Sequence, residues 1–291
     1  MQRKILDSHF HIFDLEVRAK YPNQNASMGF PSSEQERINR THSAEEAEKT
    51  LTAANIHEGV FVQCYNNCPE EIDWVFNQFK DKTFVKGVVG GLDPLNQEQI
   101  LQIITKYSGS LAPKFVGIRH LIGFEDDDYL AREDVHKGLQ IIADHGLTFD
   151  IQSYPQTIKH IQTVAKQVPK LKMVIDHIGK PFYDEPSTFS AWCEDIRSAA
   201  KYPNVYCKLS GLINEVPNWN LDVFQPYIDH LIKEFGVKRC MFGSDWPVCM
   251  LASPEIEYRD VIALLEDLLK NLTNEEKDDI FYNNAKRFYG L

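Results

Sequence analysis

The chain has 291 residues, 43% of them hydrophobic and 25% charged, the balance of an ordinary soluble globule with ample material for a sizeable core. Its net charge of −11 disfavours nucleic acid and anionic membrane surfaces as partners. No apolar run approaches the roughly 18 residues of a membrane-spanning helix, and Met1-Gln2-Arg3-Lys4 leads into a strand rather than a signal-peptide core. The six cysteines (Cys64, Cys68, Cys193, Cys207, Cys240 and Cys249) are dispersed and lack the second Cys/His pair of a structural zinc site. They read as reduced thiols of a cytoplasmic protein, with Cys207 and Cys240 packed in strands.

The first strand runs from Ile5 to His11 and holds Asp7-Ser8-His9-Phe10-His11. Residues two apart on an extended chain share a face, so His9 and His11 aim two imidazoles into one space while Ser8 and Phe10 point away. Such a pair can grip a divalent cation, or polarise a carbonyl without one. Two histidines also alternate by accident, so the motif alone is weak. A long polar segment from about Phe13 to Thr41 follows, holding Tyr21, Pro22, Gly29 and Pro31; loops of that length are usually functional or disordered.

Thereafter short apolar runs alternate with amphipathic ones. Ser43-Ala44-Glu45-Glu46 opens a helix to about Asn55 as a capping box. Strand-like runs begin at Gly59, Phe84, Phe115, Leu147, Lys172, Val205 and Arg239. Between them lie helical stretches starting at Pro69, holding Ile100, Ile103 and Ile104, spanning about Arg132 to His145, following Pro155, covering Phe189 to Ala200, and carrying Val223 to Phe235. Ser253-Pro254-Glu255 is expected to cap a helix through Leu269, and Thr273 with Glu276 to box a final one.

Eight strand–helix units with no linker, repeat or low-complexity tract point to one (β/α)8 TIM barrel over residues 1–291. A doubly wound open sheet is the alternative, but no Gly-x-Gly-x-x-Gly follows the first strand and no phosphate loop appears elsewhere. Active-site groups of a barrel sit at the C-terminal ends of its strands. Those ends carry His9 and His11, Gln63, Arg119 and His120, Asp176 and His177, Lys208 and Ser210, and Asp245. The mouth of any barrel is polar, yet paired histidines, a distant histidine and a final aspartate are hard to explain as rim solvation.

Asp7-x-His9-x-His11, Gly117-Ile118-Arg119-His120, Asp176-His177-Ile178-Gly179-Lys180-Pro181 and Phe242-Gly243-Ser244-Asp245-Trp246-Pro247 resemble the amidohydrolase superfamily. More narrowly they resemble its sugar-lactone lactonases, which include fuconolactonases, rhamnonolactonases and pyrone-dicarboxylate lactonases. The resemblance spans nearly the whole chain. It implies a distorted barrel that hydrolyses a small cyclic ester. Asp245 would be the general base and then the acid, with His9, His11 and His177 converging on the carbonyl oxygen directly or through one metal ion. Arg119 would hold the substrate by its planar fork. Gln63, Lys208, Ser210, Trp246 and Tyr21 are further candidates for substrate contact, although Lys208 reads equally as a strand lysine paired with an acid and Trp246 as core.

The pattern departs from binuclear relatives. Strand four offers Arg119 and His120 in place of a bridging lysine or glutamate, and strand five offers Asp150 and Gln152 with no histidine. The expectation is therefore at most one divalent ion, zinc first, on His9, His11, His177 and Asp245, or no metal at all. His120 is expected to be packed rather than ligating, and His42, His57, His136, His145, His160 and His230 to be surface or packing residues. The expected substrate is a neutral, polyhydroxylated aldonolactone, because a dicarboxylate needs more cations than Arg119, Lys208, Lys180 and Arg18 readily supply. Tyr21, Asn23, Gln24 and Asn25 of the long loop suit hydroxyl groups. A metal-dependent decarboxylase and a non-catalytic metabolite-binding barrel are the competing readings, and homo-oligomerisation is left open.

Overall fold

Eight parallel strands, β1 (Leu6–Phe10), β2 (Glu58–Val62), β3 (Val85–Gly91), β4 (Lys114–Leu121), β5 (Thr148–Gln152), β6 (Lys172–Ile175), β7 (Val205–Leu209) and β8 (Cys240–Phe242), lie side by side in chain order. This is the (β/α)8 barrel expected from the alternation, here in a computed structural model that describes residues 3–20, 31, 35–64, 67–109, 113–216, 219–253 and 255–291. Its ladders run continuously from β1 to β8, and the seam between β8 and β1 is closed chiefly beyond the strands. Ser8 Oγ donates to the Phe242 carbonyl at 2.5 Å, Asp245 N to the His9 carbonyl at 2.8 Å, and His11 N to the Trp246 carbonyl at 2.7 Å. The segment after β8 is thereby stitched over the end of β1. That stitching carries Asp245 to the two histidines.

Two apolar layers hold the barrel. Outside, Phe10 meets Phe61, Phe79 and Phe84 at ring separations of 5.8–6.3 Å, each buried ring contributing about 1.5–3 kcal/mol. Inside, Leu6, Val60, Val62, Val89, Val116, Val174 and Met241 pack with Ala285, Phe288 and Tyr289 of the last helix, Asn284–Tyr289. Lys114 and Lys172, which open β4 and β6, donate to the carbonyls of Gly290 and Phe288. The last helix therefore closes the floor, the end opposite the polar strand ends.

Local signals account for most helices. Ser43 accepts from Glu46 N at the head of helix Ala44–Ala53, Pro69 opens Pro69–Phe79, and Thr273 and Glu276 form a capping box. Three expectations need correction. The segment after β1 contains a helix, Leu15–Lys20, where only loop was expected, because Asp14 accepts from the amides of Glu16 and Val17. The stretch after Pro155 is two short helices, Pro155–Ile158 and Ile161–Gln167. The helix Tyr258–Leu268 begins later than expected, its box formed by Glu257 and Asp260 rather than by Ser253. Among the described residues no helix is long and apolar enough to cross a membrane. The six cysteines are free, with Cys207 and Cys240 buried in β7 and β8.

Candidate active site

The four residues at the centre come from β1, the turn after β6 and the segment after β8. Asp7 sets the first of these in place. Its Oδ1 accepts from the amides of His9 and Ser244, and its Oδ2 from Ser244 Oγ and Tyr258 Oη. Asp7 is thus the clasp between strand one and Ser244-Asp245, although its parity with His9 and His11 suggests a group facing the cavity. Gly243 is required here, since a Cβ would stand 2.7 Å from the Cβ of His9. Asp245 itself sits at φ 60°, in the left-handed region that Asp and Asn tolerate best among residues other than glycine. After β6, His177 and Ile178 also adopt positive φ, 52° and 50°, and this turn sets the His177 ring against that of His9, 4.6 Å between ring centres. Ser210 holds it there: its Oγ lies 3.0 Å from His177 Nδ1 and accepts the His177 amide at 3.3 Å.

All four groups are buried, and three imidazoles surround one carboxylate oxygen. Asp245 Oδ1 is 3.1 Å from His11 Nε2, 3.8 Å from His9 Nε2 and 3.8 Å from His177 Nε2. Burial disfavours the Asp245 charge, but His177, the hydrogen bond to His11 and the nearby His11 and His9 rings outweigh it, so its carboxyl lies well below the usual range. His177 is pushed down to about 4, chiefly by burial and against the pull of Asp245 and Asp176. His9 is also lowered, by burial and then by Lys208. An ionised carboxylate therefore faces two neutral imidazoles at neutral pH.

Beneath them lies a second polar layer. Lys208 Nζ is 2.5 Å from Asp150 Oδ2, 3.0 Å from Asp176 Oδ1 and 3.0 Å from His9 Nδ1. Asp176 Oδ2 is 3.3 Å from Arg119 Nε, and Arg119 Nη1 is 3.3 Å from His9 Nε2 and donates to the Gln63 carbonyl at 2.8 Å. Burial opposes the Asp176 charge, but Lys208, His9 and Arg119 hold its carboxyl well below the ordinary value.

Above the centre opens a cleft of about 390 Å³, with His11, His177, Asp245 and Arg119 among its walls. Gln35, Gln152, Asn214 and Lys180 are among its polar lining residues, and Leu121, Phe124, Tyr154, Val248 and Leu251 among its apolar and aromatic ones. Asn214 Nδ2 lies 3.4 Å from Asp245 Oδ2. Of the other expected contacts, Lys208 is turned away from this cleft into the second layer, Ser210 is spent on His177, and Gln63 bonds Asn67 and presents its carbonyl to Arg119. Trp246 is buried, its ring edge-on to His42 at 5.4 Å. None of the four lines the cleft, because depth within the barrel, not order along a strand, decides which residue reaches the mouth; Lys208 and Trp246 take the alternative places read from the sequence, an acid-paired lysine and a core ring. Tyr21 lies outside the described residues. His120 is packed as expected, bonded to Asn67 and Glu125 and stacked on Tyr129. Gln35, Asn214 and Tyr289 carried no signal of a role in the sequence, and Asp150 stands out there only as a strand-five group where binuclear relatives keep a histidine.

The centre has the ligand chemistry for a single divalent ion. One ligand atom each from His9, His177 and Asp245 lies within 4.8 Å of the other two, a little wider than a closed tetrahedral site, and two imidazoles with a carboxylate are a common zinc set. Asp176 beside His9 Nδ1 is the kind of outer carboxylate that orients a ligating imidazole. Among the described residues a second ion has no comparable place, and the Lys208 ammonium already occupies the space between Asp150, Asp176 and His9.

A barrel whose mouth gathers three histidines, an aspartate and an arginine beneath a small cleft has the frame of an amidohydrolase-type enzyme. The chain belongs to the Amidohydrolase family, which matches residues 6–291. It is 29% identical to an L-fucono-1,5-lactonase of Burkholderia ambifaria over 98% of this chain and 95% of that protein. An L-rhamnono-gamma-lactonase of Scheffersomyces stipitis is 29% identical over 60% of this chain and 59% of its own length. A solved amidohydrolase from Burkholderia multivorans with bound zinc superposes with a TM-score of 0.86 and 25% identity, covering 99% of each chain.

Proposed function

We propose that the protein opens a sugar lactone to its hydroxy acid. The observation that carries this reading is the ionised Asp245, ringed by His9, His11 and His177 at the base of a cleft that also holds the Arg119 guanidinium. Water beside Asp245 gives its proton to the carboxylate as its oxygen attacks the lactone carbonyl carbon. The carbonyl oxygen takes up negative charge, which Arg119 and His177 stabilise. Collapse breaks the bond to the ring oxygen, and the proton held on Asp245 passes to that departing alkoxide. When bound, a divalent ion on His9, His177 and Asp245 supplies Lewis-acid polarisation at the same place. Asn214, within reach of Asp245 Oδ2, keeps the carboxylate turned toward the cleft.

The lining supports a neutral, polyhydroxylated substrate. Gln35, Gln152 and Asn214 suit hydroxyl groups, and Leu121, Val248 and Leu251 suit a ring face or methyl group. Lys208 is engaged by Asp150 and Asp176, which leaves Arg119 and Lys180 as the cations lining the cleft among the described residues. Each unpaired carboxylate of a dicarboxylate would cost several kcal/mol there. A panel of aldonolactones, dicarboxylate pyrones and simple esters, followed by proton release with and without chelator, tests the reading. An aldonolactone should give the highest kcat/KM. A dicarboxylate pyrone well above every aldonolactone would refute it.

A further inference from the structure

We propose that Tyr289, on the helix that closes the barrel floor, is a positioning residue for His9 and acts through Asp150 and Lys208. The proposal rests on the reading of His9 as part of the reactive centre. Tyr289 is buried, and its hydroxyl donates to Asp150 Oδ2 at 2.7 Å. The same oxygen accepts from Lys208 at 2.5 Å. Lys208 in turn stands 3.0 Å from both His9 Nδ1 and Asp176 Oδ1, with its ammonium 5.8 Å from the centre of the Tyr289 ring. A phenol on the floor is thus linked by two side chains to an imidazole at the mouth.

An apolar plug needs no such hydroxyl. The neighbouring floor residues Phe288 and Leu291 are purely apolar, and Tyr289 shares their cluster with Val60, Val89, Val116 and Val174. A hydroxyl enclosed there is costly unless it is bonded. Its bond has a consequence for Lys208. With Tyr289 supplying one donor to Asp150 Oδ2, the Lys208 ammonium stays shared between the Asp150 and Asp176 carboxylates, beside His9 Nδ1. Without that donor, Asp150 draws the ammonium toward itself and away from the upper pair. Asp176 then loses the cation that holds it beside His9 Nδ1, and His9 Nε2 loses its aim at Asp245.

The test is Tyr289→Phe in the full chain, with Phe288→Leu as a packing control on the same helix. Zinc affinity, measured by competition with a chromogenic chelator, and kcat and KM on the best lactone of the panel are compared for each. Loss of an outer partner of a ligating histidine typically costs about 10–100-fold in metal affinity or activity. Tyr289→Phe should lower zinc affinity and kcat by about tenfold or more, leave KM within about twofold, and retain the fold. Phe288→Leu should lower the melting temperature at least as much and change neither quantity. The proposal is overturned if Tyr289→Phe keeps both within about twofold of wild type, or if Phe288→Leu lowers both equally. If wild-type protein opens no lactone, the proposed function fails and zinc affinity alone decides the role of Tyr289; if it neither binds zinc nor opens a lactone, the positioning role falls as well.

Discussion

Asp245 Oδ1 stands 3.1 Å from His11 Nε2, and the Nδ1 of the same ring lies 2.7 Å from the Val62 carbonyl oxygen. A carbonyl only accepts, so it fixes a proton on Nδ1. Nε2 is then turned toward the carboxylate at hydrogen-bonding distance. His11 is thereby anchored to β2 while it holds Asp245, and the base is placed by a backbone group two strands from its own.

Asp245→Asn is the cleanest probe of that base. Asparagine keeps the shape of the side chain and tolerates the left-handed backbone at φ 60°, so the fold should survive where alanine would also add strain. Turnover should fall by at least about a hundredfold, with circular dichroism unchanged. A folded Asp245→Asn protein with near-normal turnover would sink the assignment.

Metal content follows from Lys208. With its ammonium 3.0 Å from Asp176 and 2.5 Å from Asp150, those two carboxylates are engaged, and His9, His177 and Asp245 form the one cluster found among the described residues. Elemental analysis after purification with zinc should give no more than one tightly bound ion per chain. Two would require Lys208 to leave its place.

The barrel was legible because strand ends and helix starts carry local signals, and the His9/His11 alternation pointed correctly to one shared space. Depth was not legible. Lys208 is the fourth of the five residues of β7, and in one dimension it looks like a mouth residue beside Ser210. Its partners Asp150 and Asp176 lie on β5 and just beyond β6, and only the curvature of the closed sheet brings the three together. Tyr289 belongs to no motif, and Asn214 sits on a turn whose reach toward Asp245 depends on how β7 ends. Gly211 shows how tight that end is: at φ 63° its added Cβ would lie 2.6 Å from the His177 ring.

Acid stability should carry a signature of His42. Its ring is wedged between Phe13 and Trp246, at 5.0 and 5.4 Å, and is held at about 4, by burial first and then by Arg40. In the unfolded chain the group titrates near its ordinary value of about 6.5. As pH falls the unfolded state therefore takes up the proton first, so the contribution is intact above about 6.5 and is lost as pH falls toward 4. His9 and His177 act with the same sign, and the comparison with His42→Phe isolates one term. The melting temperature of wild type should drop more steeply between pH 7 and pH 4.5, taken as roughly that window, than that of the variant. Parallel curves would show that His42 does not contribute.

Lys208→Met separates the two roles open to this lysine. As a substrate contact, its loss would raise KM and leave the melting temperature nearly unchanged. As the structure has it, Lys208 is fully buried and neutralises Asp150 and Asp176 from within the barrel. Removing one partner of a buried ion pair typically costs about 3–5 kcal/mol, because the other charge is left without compensation. For a chain of this size that corresponds to a fall in melting temperature on the order of 10 °C. Methionine fills a similar volume, so the loss reflects charge rather than a cavity. Adding Asp150→Asn should then restore part of the stability, since the second substitution removes one stranded carboxylate and leaves Tyr289 a neutral acceptor. A Lys208→Met protein that melts within about 2 °C of wild type and shows only a raised KM would return Lys208 to the substrate and dissolve the second polar layer as a structural unit.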